Sequence, residues 1–265
     1  MNYFRILYCS VLLFFSFFSC ASAAVSNHPI HWGFQKNNNH QSPDAGKEWN
    51  ELLNKYGAFY LGDPSKKEIY LTFDNGYENG YTSKILDVLK KHDVHATFFV
   101  TGHYLKTAPD LVKRMVKEGH IVGNHSWSHP DMTTISADKI KKELDAVSDK
   151  VKELTGQEGT VYVRPPRGIF SERTLALSEK YGYRNIFWSL AFVDWKVNEQ
   201  KGWRYAYDNI INQIHPGAII LLHTVSKDNA DALDEAIKTL KQQGYTFKSL
   251  DDLVMEKMFE SPFLY

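Results

Sequence analysis

The chain of 265 residues is 43% hydrophobic and 14% aromatic, enough to bury a large core, so a disordered protein is excluded. Its 31 basic residues balance its 31 acidic residues. This balance excludes the strong overall field that recruits nucleic acid or an anionic membrane surface, and any anionic partner must be bound locally. The length fits one α/β barrel or two smaller domains.

Residues 1–23 have the composition of an export signal. Arg5 supplies a positive charge before an apolar run over residues 6–18, and the small residues at 21–23 form a cleavage pattern. The run is shorter than the roughly 20 residues that a membrane-spanning helix needs, which disfavours an uncleaved anchor. We therefore expect an exported mature chain that begins near Ala24 and has no membrane span.

Both cysteines of the sequence, Cys9 and Cys20, lie inside this signal. The mature chain is therefore predicted to have no disulfide and to depend on its core alone. Cys20 also allows a lipoprotein cleavage site, but Phe17 stands where a smaller aliphatic residue is usual, so simple secretion is favoured.

Residues 24–65 are predicted to form an N-terminal extension that wraps on the rest of the chain. A polar loop at 36–43 separates two segments rich in aromatic residues. The second segment, residues 49–56, has the spacing of an amphipathic helix. We expect its apolar face to pack against the main domain.

Residues 66–265 are predicted to form the main domain, in which short β-branched and aromatic segments alternate with segments of helical period. Such alternation is typical of parallel βα units, and seven of them in one run indicate a barrel whose active residues gather at the carboxyl ends of the strands. The predicted strands are 69–73, 96–100, 121–122, 161–163, 186–189, 218–222 and 246–247. The predicted helices are 81–91, 109–118, 137–154, 172–181, 205–214, 230–243 and 250–258.

The third of these helices has a favourable N-cap residue in Ser136. Its charged residues, among them Lys139 and Glu143, give it a mixed charged face. We interpret this face as solvated surface.

Two histidines four residues apart, His125 and His129, follow the third predicted strand. Pro130 disfavours helical backbone at His129, so the pair is expected on a loop, where one turn brings both imidazoles to the same side. Such a pair can bind one metal ion. The alternative interpretation is two loop histidines bonded to backbone and water, and the other strand ends decide between the two.

Polar residues also follow the first and fourth predicted strands. Asp74 and Asn75 end the first strand next to Gly76, which permits a turn, and this placement suits either catalysis or turn formation. Arg164 and Arg167 follow the fourth strand in a segment stiffened by two prolines. Guanidinium groups on such a segment are well placed to hold carboxylates, either the protein's own or a substrate's.

The fifth and sixth predicted strands end in the same way. Asp194 and Trp195 follow the fifth strand, where the carboxylate can orient a base and the indole ring can form the floor of a sugar-binding site. His223 ends the sixth strand, and its ordinary pKa of about 6.5 suits proton transfer near neutrality. Five strand ends that each offer a polar group suited to metal-assisted hydrolysis are improbable by chance.

Over about residues 69–259 the sequence resembles the polysaccharide deacetylases of carbohydrate esterase family four. The five motifs that carry the resemblance are, in order, Thr72-Phe73-Asp74-Asn75-Gly76, His125-Ser126-Trp127-Ser128-His129, Arg164-Pro165-Pro166-Arg167, Asp194-Trp195 and Leu221-Leu222-His223. The extended segments 74–80 and 164–168 are most similar to the delta-lactam-biosynthetic de-N-acetylases, which act on N-acetylmuramic acid in peptidoglycan.

This resemblance implies a distorted (β/α)7 barrel and an amide hydrolase that deacetylates N-acetylmuramic acid, a step toward muramic delta-lactam. Asp74 would take the proton of the attacking water, and Arg164 would keep that carboxylate ionised. Asp194 would orient His223, which would donate a proton to the departing amine.

The resemblance also implies a divalent metal ion, zinc or another, held by His125 and His129. Most of the family has a second aspartate as a metal ligand where this chain has Asn75. An amide oxygen can still coordinate a hard cation, but the site loses one negative charge and should bind metal more weakly.

The implied partner is the peptidoglycan glycan strand, bound by a monomer in the cell wall or spore cortex. Its substrate-binding residues would be Arg167, Tyr77, Trp195 and Pro166. Arg167 stands where most of the family carries an aromatic residue, and its guanidinium can bind the lactyl carboxylate of muramic acid. The alternative for Arg167 is an ion pair within the protein.

Two further functions are weighed against this one: a chitin-type or xylan-type deacetylase, and an inactive wall-binding relative, which Asn75 would suit. The presence of Asp74, Arg164, Asp194 and His223 together argues against an inactive protein, because binding alone needs no proton-transfer pair. A serine esterase is disfavoured because the sequence has no Gly-x-Ser-x-Gly elbow.

Overall fold

The computed structural model describes residues 25–37 and 39–260, so the predicted export signal at 1–23 lies outside the described residues. The helices are α1 Lys47–Lys55, α2 Thr82–Lys91, α3 Gly102–Thr107, α4 Pro109–Lys117, α5 Ala137–Thr155, α6 Glu172–Lys180, α7 Trp203–Gln213, α8 Lys227–Gln242 and α9 Leu250–Glu260. The strands are β1 Ile30–His31, β2 Glu68–Asn75, β3 Thr97–Val100, β4 Ile121–Asn124, β5 Tyr162–Val163, β6 Ile169–Phe170, β7 Arg184–Asn185, β8 Ile219–His223 and β9 Thr246–Lys248. Within the described ranges, no helix is both long enough and apolar enough to cross a bilayer.

Seven parallel strands form one curled sheet. Six of them lie in the order β7, β5, β4, β3, β2 and β8, and β9 pairs with the first residues of β2. Beyond β7, Leu190 forms a parallel bridge to Ile220 of β8, which connects the two edges of the sheet. The chain therefore has the distorted (β/α)7 barrel that its sequence predicts.

The core lies between this sheet and the helices around it. All residues of β2 except Glu68 are buried, and the rings of Phe73 and Phe98 stack with their centroids 5.0 Å apart. Helices α2, α4 and α8 each bury apolar residues in the same cluster. Because a parallel sheet is covered on its faces, its strands are continuous apolar runs instead of alternating ones.

Some element predictions differ from the structure. The strand predicted at 186–189 is wrong in position, because the ladder pairing lies at β7, and Ile186 forms a single bridge to Phe59. The apolar residues that suggested a strand there are buried as the chain crosses toward β8. The sequence pattern does not predict β1, β6 or α3, which have two, two and six residues.

The N-terminal extension packs against the barrel. Strand β1 pairs antiparallel with β6, and the predicted amphipathic helix is confirmed as α1, with Leu53 buried. The indole Nε1 of Trp32 donates to the carbonyl of Trp188 at 2.9 Å, and its ring centroid lies 4.8 Å from that of Phe187. Trp32 therefore joins the extension to the barrel through both a hydrogen bond and aromatic packing.

Helix α5 begins where its sequence predicts. The hydroxyl of Ser136 accepts a hydrogen bond from the N–H of Lys139 at 3.3 Å, and Gly156 ends the helix in the left-handed conformation. The interpretation of the charged face as solvated is wrong for Glu143, which is 2% exposed and bonds the loop after β4. Charge spacing along a helix does not reveal that a neighbouring loop covers one of its residues.

Replacing Trp32 with alanine should destabilise the protein by about 3 kcal/mol, because it removes a large partly buried ring from the contact between extension and barrel. The measurement is urea unfolding followed by circular dichroism. Trp203→Ala is the matched control, since Trp203 is 39% exposed, and we expect a loss below about 1 kcal/mol. Equal losses would show that the extension adds no stability through Trp32.

Candidate active site

The polar residues that the sequence singles out come together at the carboxyl ends of the barrel strands. Asp74 is near the end of β2 and His223 ends β8, and the pairing register places them side by side. His125 directly follows β4, and Arg164 directly follows β5. Asp194 reaches the same region from the loop after β7, where it bonds His223.

Arg164 is fully buried inside the barrel, where it contacts two elements at once. Its Nη1 donates to Asp74 Oδ1 at 2.8 Å, and its Nη2 donates to Thr72 Oγ1 at 2.8 Å. Its Nε and Nη2 also donate to the carbonyls of Ile186 and Phe187 at 3.1 and 3.3 Å. The guanidinium therefore joins β2 to the irregular segment after β7.

The charges around Asp74 decide its protonation state. Burial by itself raises the pKa of the Asp74 carboxyl, but the charges of Arg164 and His223 outweigh burial and hold the pKa below its ordinary value. With this lowered pKa, Asp74 is an ionised carboxylate near neutral pH. It is only 5% exposed, so most water is excluded from it.

His125 and His129 face each other across a loop, as the sequence predicts. Their Nε2 atoms lie 3.2 Å apart, and His125 Nε2 lies 3.5 Å from Asp74 Oδ2. His125 Nδ1 lies 2.9 Å from the carbonyl oxygen of Arg164. Because a carbonyl only accepts, Nδ1 carries the proton and Nε2 presents a lone pair. Burial lowers the pKa of His125, which favours the neutral imidazole that binds metal.

The loop that carries these histidines has an unusual backbone. Ser126 and His129 adopt φ values of 64° and 57°, in the left-handed region that non-glycine residues rarely occupy. Asn124 Oδ1 accepts from the N–H of Ser126 at 2.9 Å, and Ser126 Oγ accepts from the N–H of His129 at 3.0 Å. These bonds close the turn that brings the two rings together.

Asn75 lies in a different environment from Asp74. Strand β2 continues through Asn75, so the turn expected at this residue begins only after it. The side chain is fully buried, its Nδ2 donates to Thr224 Oγ1 at 2.9 Å, and its Oδ1 has no hydrogen-bond partner among the residues that the structure describes. An unpartnered buried oxygen is rare in a native protein and suits a ligand or ion that completes it.

A metal site here would have an unusual donor set. Among the residues that the structure describes, no group of three or more His, Cys, Asp or Glu side chains is arranged to hold a metal ion. The Nε2 atoms of His125 and His129 lie 3.2 Å apart, and Asn75 supplies a buried amide oxygen at the end of β2. Nitrogen and neutral oxygen donors fit a divalent cation that is bound with fewer anionic ligands than usual.

Asp194 and His223 form a tightly bonded pair. His223 Nδ1 donates to Asp194 Oδ1 at 2.7 Å, and the backbone N–H of His223 donates to Oδ2 at 2.8 Å. Asn229 Nδ2 also donates to Oδ2, at 2.5 Å. Partial burial lowers the pKa of His223, but the charge and hydrogen bond of Asp194 outweigh burial and raise it above its ordinary value. His223 therefore tends to carry a proton when Asp74 does not.

The predicted substrate-binding residues lie at the surface or close to it. Tyr77 is 42% and Trp195 is 49% exposed, and the Trp195 ring centroid lies 5.5 Å from that of His223. Arg167 is half exposed, and its Nη2 lies 3.9 Å from Asp131 Oδ2, longer than a hydrogen bond. Pro166 is buried in the turn before Arg167.

Two residues that support the site are not identified from the sequence. Thr72 is inside the first motif, yet its role in binding Arg164 becomes visible only when β2 and the guanidinium are placed together. Asn229 lies in the first turn of α8, 35 residues from Asp194, and nothing in the local pattern connects them.

Replacing Arg164 with leucine should destabilise the protein by about 3–5 kcal/mol, because it leaves the Asp74 carboxylate buried without a counterion. Adding Asp74→Asn should recover part of this loss, since the neutral amide has no charge to compensate. Urea unfolding of the two single variants and the double variant measures the coupling. Additive losses would contradict the pairing of these two charges.

Replacing Asp194 with asparagine should lower the pKa of His223 below 6.5, because the variant keeps the burial that disfavours the imidazolium and loses the anion that favours it. In the wild type, His223 should remain protonated above pH 6.5 and lose its proton as the pH rises further. NMR titration of labelled histidine measures both values. An unchanged titration would show that Asp194 does not set the charge of His223.

The chain is similar to known proteins over most of its length. A family model described as polysaccharide deacetylase matches residues 61–186. Peptidoglycan-N-acetylmuramic acid deacetylase PdaA of Bacillus subtilis is 63% identical over 241 residues, which cover 91% of this chain and 92% of that protein.

Solved structures give the same result. The structure of Bacillus subtilis PdaA, a family 4 carbohydrate esterase, matches with a TM-score of 0.86 at 64% identity and covers 88% of this chain and 100% of that chain. A family 4 carbohydrate esterase from Bacillus anthracis matches with a TM-score of 0.75 at 56% identity and covers 88% and 99%. Identity at this level over nearly the whole chain, within one fold, shows that the chain belongs to the polysaccharide deacetylase family.

Proposed function

We propose that the chain is an exported, metal-assisted hydrolase that removes the acetyl group from N-acetylmuramic acid in peptidoglycan, a step toward muramic delta-lactam. The observation that carries this proposal is an ionised Asp74 beside a readily protonated His223, on the adjacent strands β2 and β8. Amide hydrolysis needs both groups, because one must deprotonate water and the other must protonate the leaving nitrogen.

Asp74 is the general base in this proposal. Its Oδ1 accepts from Arg164, which leaves Oδ2 to accept the proton of a water molecule as the water oxygen attacks the acetyl carbonyl carbon. Arg164 holds the carboxylate both ionised and fixed in orientation, since the guanidinium is itself bonded to Thr72 and to two backbone carbonyls. A base that is held in place does not have to reorganise during the reaction.

His223 is the general acid. Its Nδ1 hydrogen is donated to Asp194, so its Nε2 hydrogen is the one that can be transferred. As the bond between the acetyl carbon and the sugar nitrogen breaks, Nε2 gives this proton to the nitrogen, and acetate and the free amine are released. Asp194 stabilises the imidazolium before the transfer and fixes the ring in the productive tautomer.

His125, His129 and Asn75 are the residues that would hold the divalent ion. When bound, the ion would supply electrophilic polarisation of the acetyl carbonyl. The N–H of Gly168 is already donated to the carbonyl of Pro165, so among the amides after Pro166 that of Arg167 is the candidate to meet the developing oxyanion.

The choice of substrate rests on similarity and on Arg167. The Bacillus subtilis relative is named a peptidoglycan-N-acetylmuramic acid deacetylase. Muramic acid carries a lactyl carboxylate, and a guanidinium that is half exposed and lies 3.9 Å from its acidic neighbour Asp131 can turn to bind it. Tyr77 and Trp195 offer exposed rings on which sugars can stack. The export signal predicted at 1–23 is consistent with a substrate in the wall or spore cortex.

The direct test is release of acetate from peptidoglycan glycan strands. Asp74→Asn and His223→Ala should each lower turnover by about two to four orders of magnitude without unfolding the protein. A strong chelator should also lower turnover, and added zinc or another divalent ion should restore it. Near-normal acetate release by either variant would show that the replaced residue does not transfer a proton in the reaction. Full activity in a metal-free sample would show that the reaction needs no metal ion.

Arg167→Ala should lower kcat/KM by an amount equivalent to about 1.5–3 kcal/mol on N-acetylmuramic acid, the typical loss of a charged hydrogen bond, and little on N-acetylglucosamine. Both sugars are measured in the same glycan. Arg204→Ala, which removes a guanidinium packed over Trp203 on α7, is the control and should leave both values unchanged. An equal loss on both sugars would make Arg167 structural and favour a chitin-type substrate.

A further inference from the structure

Glu143 is a buried carboxylate that lies outside the five sequence motifs. It is 2% exposed in the middle of α5. The nearest cation, Lys139 Nζ, lies 3.3 Å away on the same helix, and its side chain is 55% exposed. Burying a carboxylate costs several kcal/mol unless hydrogen bonds compensate, so the partners of Glu143 explain why the residue is tolerated.

Both carboxylate oxygens of Glu143 bond the same residue of the histidine loop. The backbone N–H of Ser128 donates to Oε2 at 2.7 Å, and the Ser128 hydroxyl donates to Oε1 at 2.8 Å. Ser128 directly precedes His129 and lies on the solvent-exposed side of the loop. Through Glu143, helix α5 therefore binds Ser128, whose N–H and hydroxyl would otherwise donate to water.

The loop needs such support because its backbone is strained. Left-handed φ values at Ser126 and His129 cost about 1–2 kcal/mol each for residues with a side chain. A second support holds Trp127, whose carbonyl accepts from the N–H of Gly102 at 3.0 Å. A Cβ atom on Gly102 would come within 2.2 Å of the Trp127 ring, so the loop packs directly on this glycine.

We infer that Glu143 is a positioning residue for the metal site: by fixing Ser128, it holds the His129 imidazole opposite that of His125. This inference rests on the proposed function, in which His129 is a ligand of the divalent ion. Gly102 bonds Trp127 and Glu143 bonds Ser128, so two external contacts hold the two residues that directly precede the left-handed backbone at His129.

The role depends on hydrogen bonds more than on charge. A glutamine at position 143 can accept from the Ser128 N–H with its oxygen and donate to the Ser128 hydroxyl oxygen with its nitrogen, because a hydroxyl can act in either direction. A leucine fills a similar volume and offers neither bond. The two variants therefore separate geometry from charge at nearly constant size.

The test is the dissociation constant for Zn²⁺, with Co²⁺ absorption as a second readout of the ligand set. Glu143→Leu should weaken binding by about 10–100-fold, the usual effect of removing a residue that orients a metal ligand. Glu143→Gln should retain most of the affinity. A crystal structure of Glu143→Leu should show the His125 and His129 Nε2 atoms further apart than 3.2 Å.

Two controls separate positioning from general stability. Lys139→Ala removes the exposed ion pair and should leave the affinity unchanged. Val147→Ala opens a cavity under the same helix, where Val147 is fully buried, and should lower Tm without changing the affinity. Wild-type affinity in Glu143→Leu, or an equal loss in Val147→Ala, would overturn the inference. If the wild type bound no metal, the proposed metal role would fail, and the separation of the two histidines in the Glu143→Leu crystal structure would still decide the positioning role.

Discussion

The buried ion pair between Arg164 and Asp74 is the interaction on which the rest of the site depends. The guanidinium is fully buried, with its carbon 4.2 Å from the centroid of the Phe99 ring, so its charge must be compensated inside the barrel. Asp74 compensates it, and Thr72 and two carbonyls after β7 accept its other hydrogens. One side chain therefore fixes the Asp74 carboxylate and connects β2 to the segment through which the sheet closes.

Electrostatics around this pair moves the pKa values of Asp74 and His223 in opposite directions. Cationic neighbours lower the pKa of Asp74, while the anionic Asp194 raises the pKa of its partner His223. The two residues are neighbours across one strand pair, yet each has its own counterion, so one environment favours a base and the other an acid. Asn229 and the backbone N–H of His223 hold Asp194 in the orientation that makes this separation possible.

Backbone strain is concentrated around the same residues. Ser126, His129 and Arg167 all have positive φ values, and all three lie in the loops that follow β4 and β5. Such conformations persist only where the surroundings over-determine them. Here the surroundings are specific: Gly102 and Glu143 hold the histidine loop, and the prolines before Arg167 restrict its turn. The barrel strands below supply the rigidity that lets these loops keep an unfavourable backbone.

The sequence by itself determined the fold class and pointed to most residues of the candidate site, because both depend on local patterns: alternating βα periods, and single polar residues at the ends of apolar strands. It located Asp74, His125, Arg164 and His223 in this way, and the structure brings them together. Tertiary structure alone decided which long-range contacts support them. In the sequence, Glu143 cannot be distinguished from a solvated helix residue, because only the folded chain places the loop after β4 against it. Likewise, Asn229 contacts Asp194 only because α8 packs beside the loop after β7. The position of β7 was also decided in three dimensions, because Ile186 and Phe187 are buried although neither lies in a strand of the sheet. Spacing along the chain fixes which side chains share a strand end, whereas the distance between residues far apart in sequence depends on how the barrel closes.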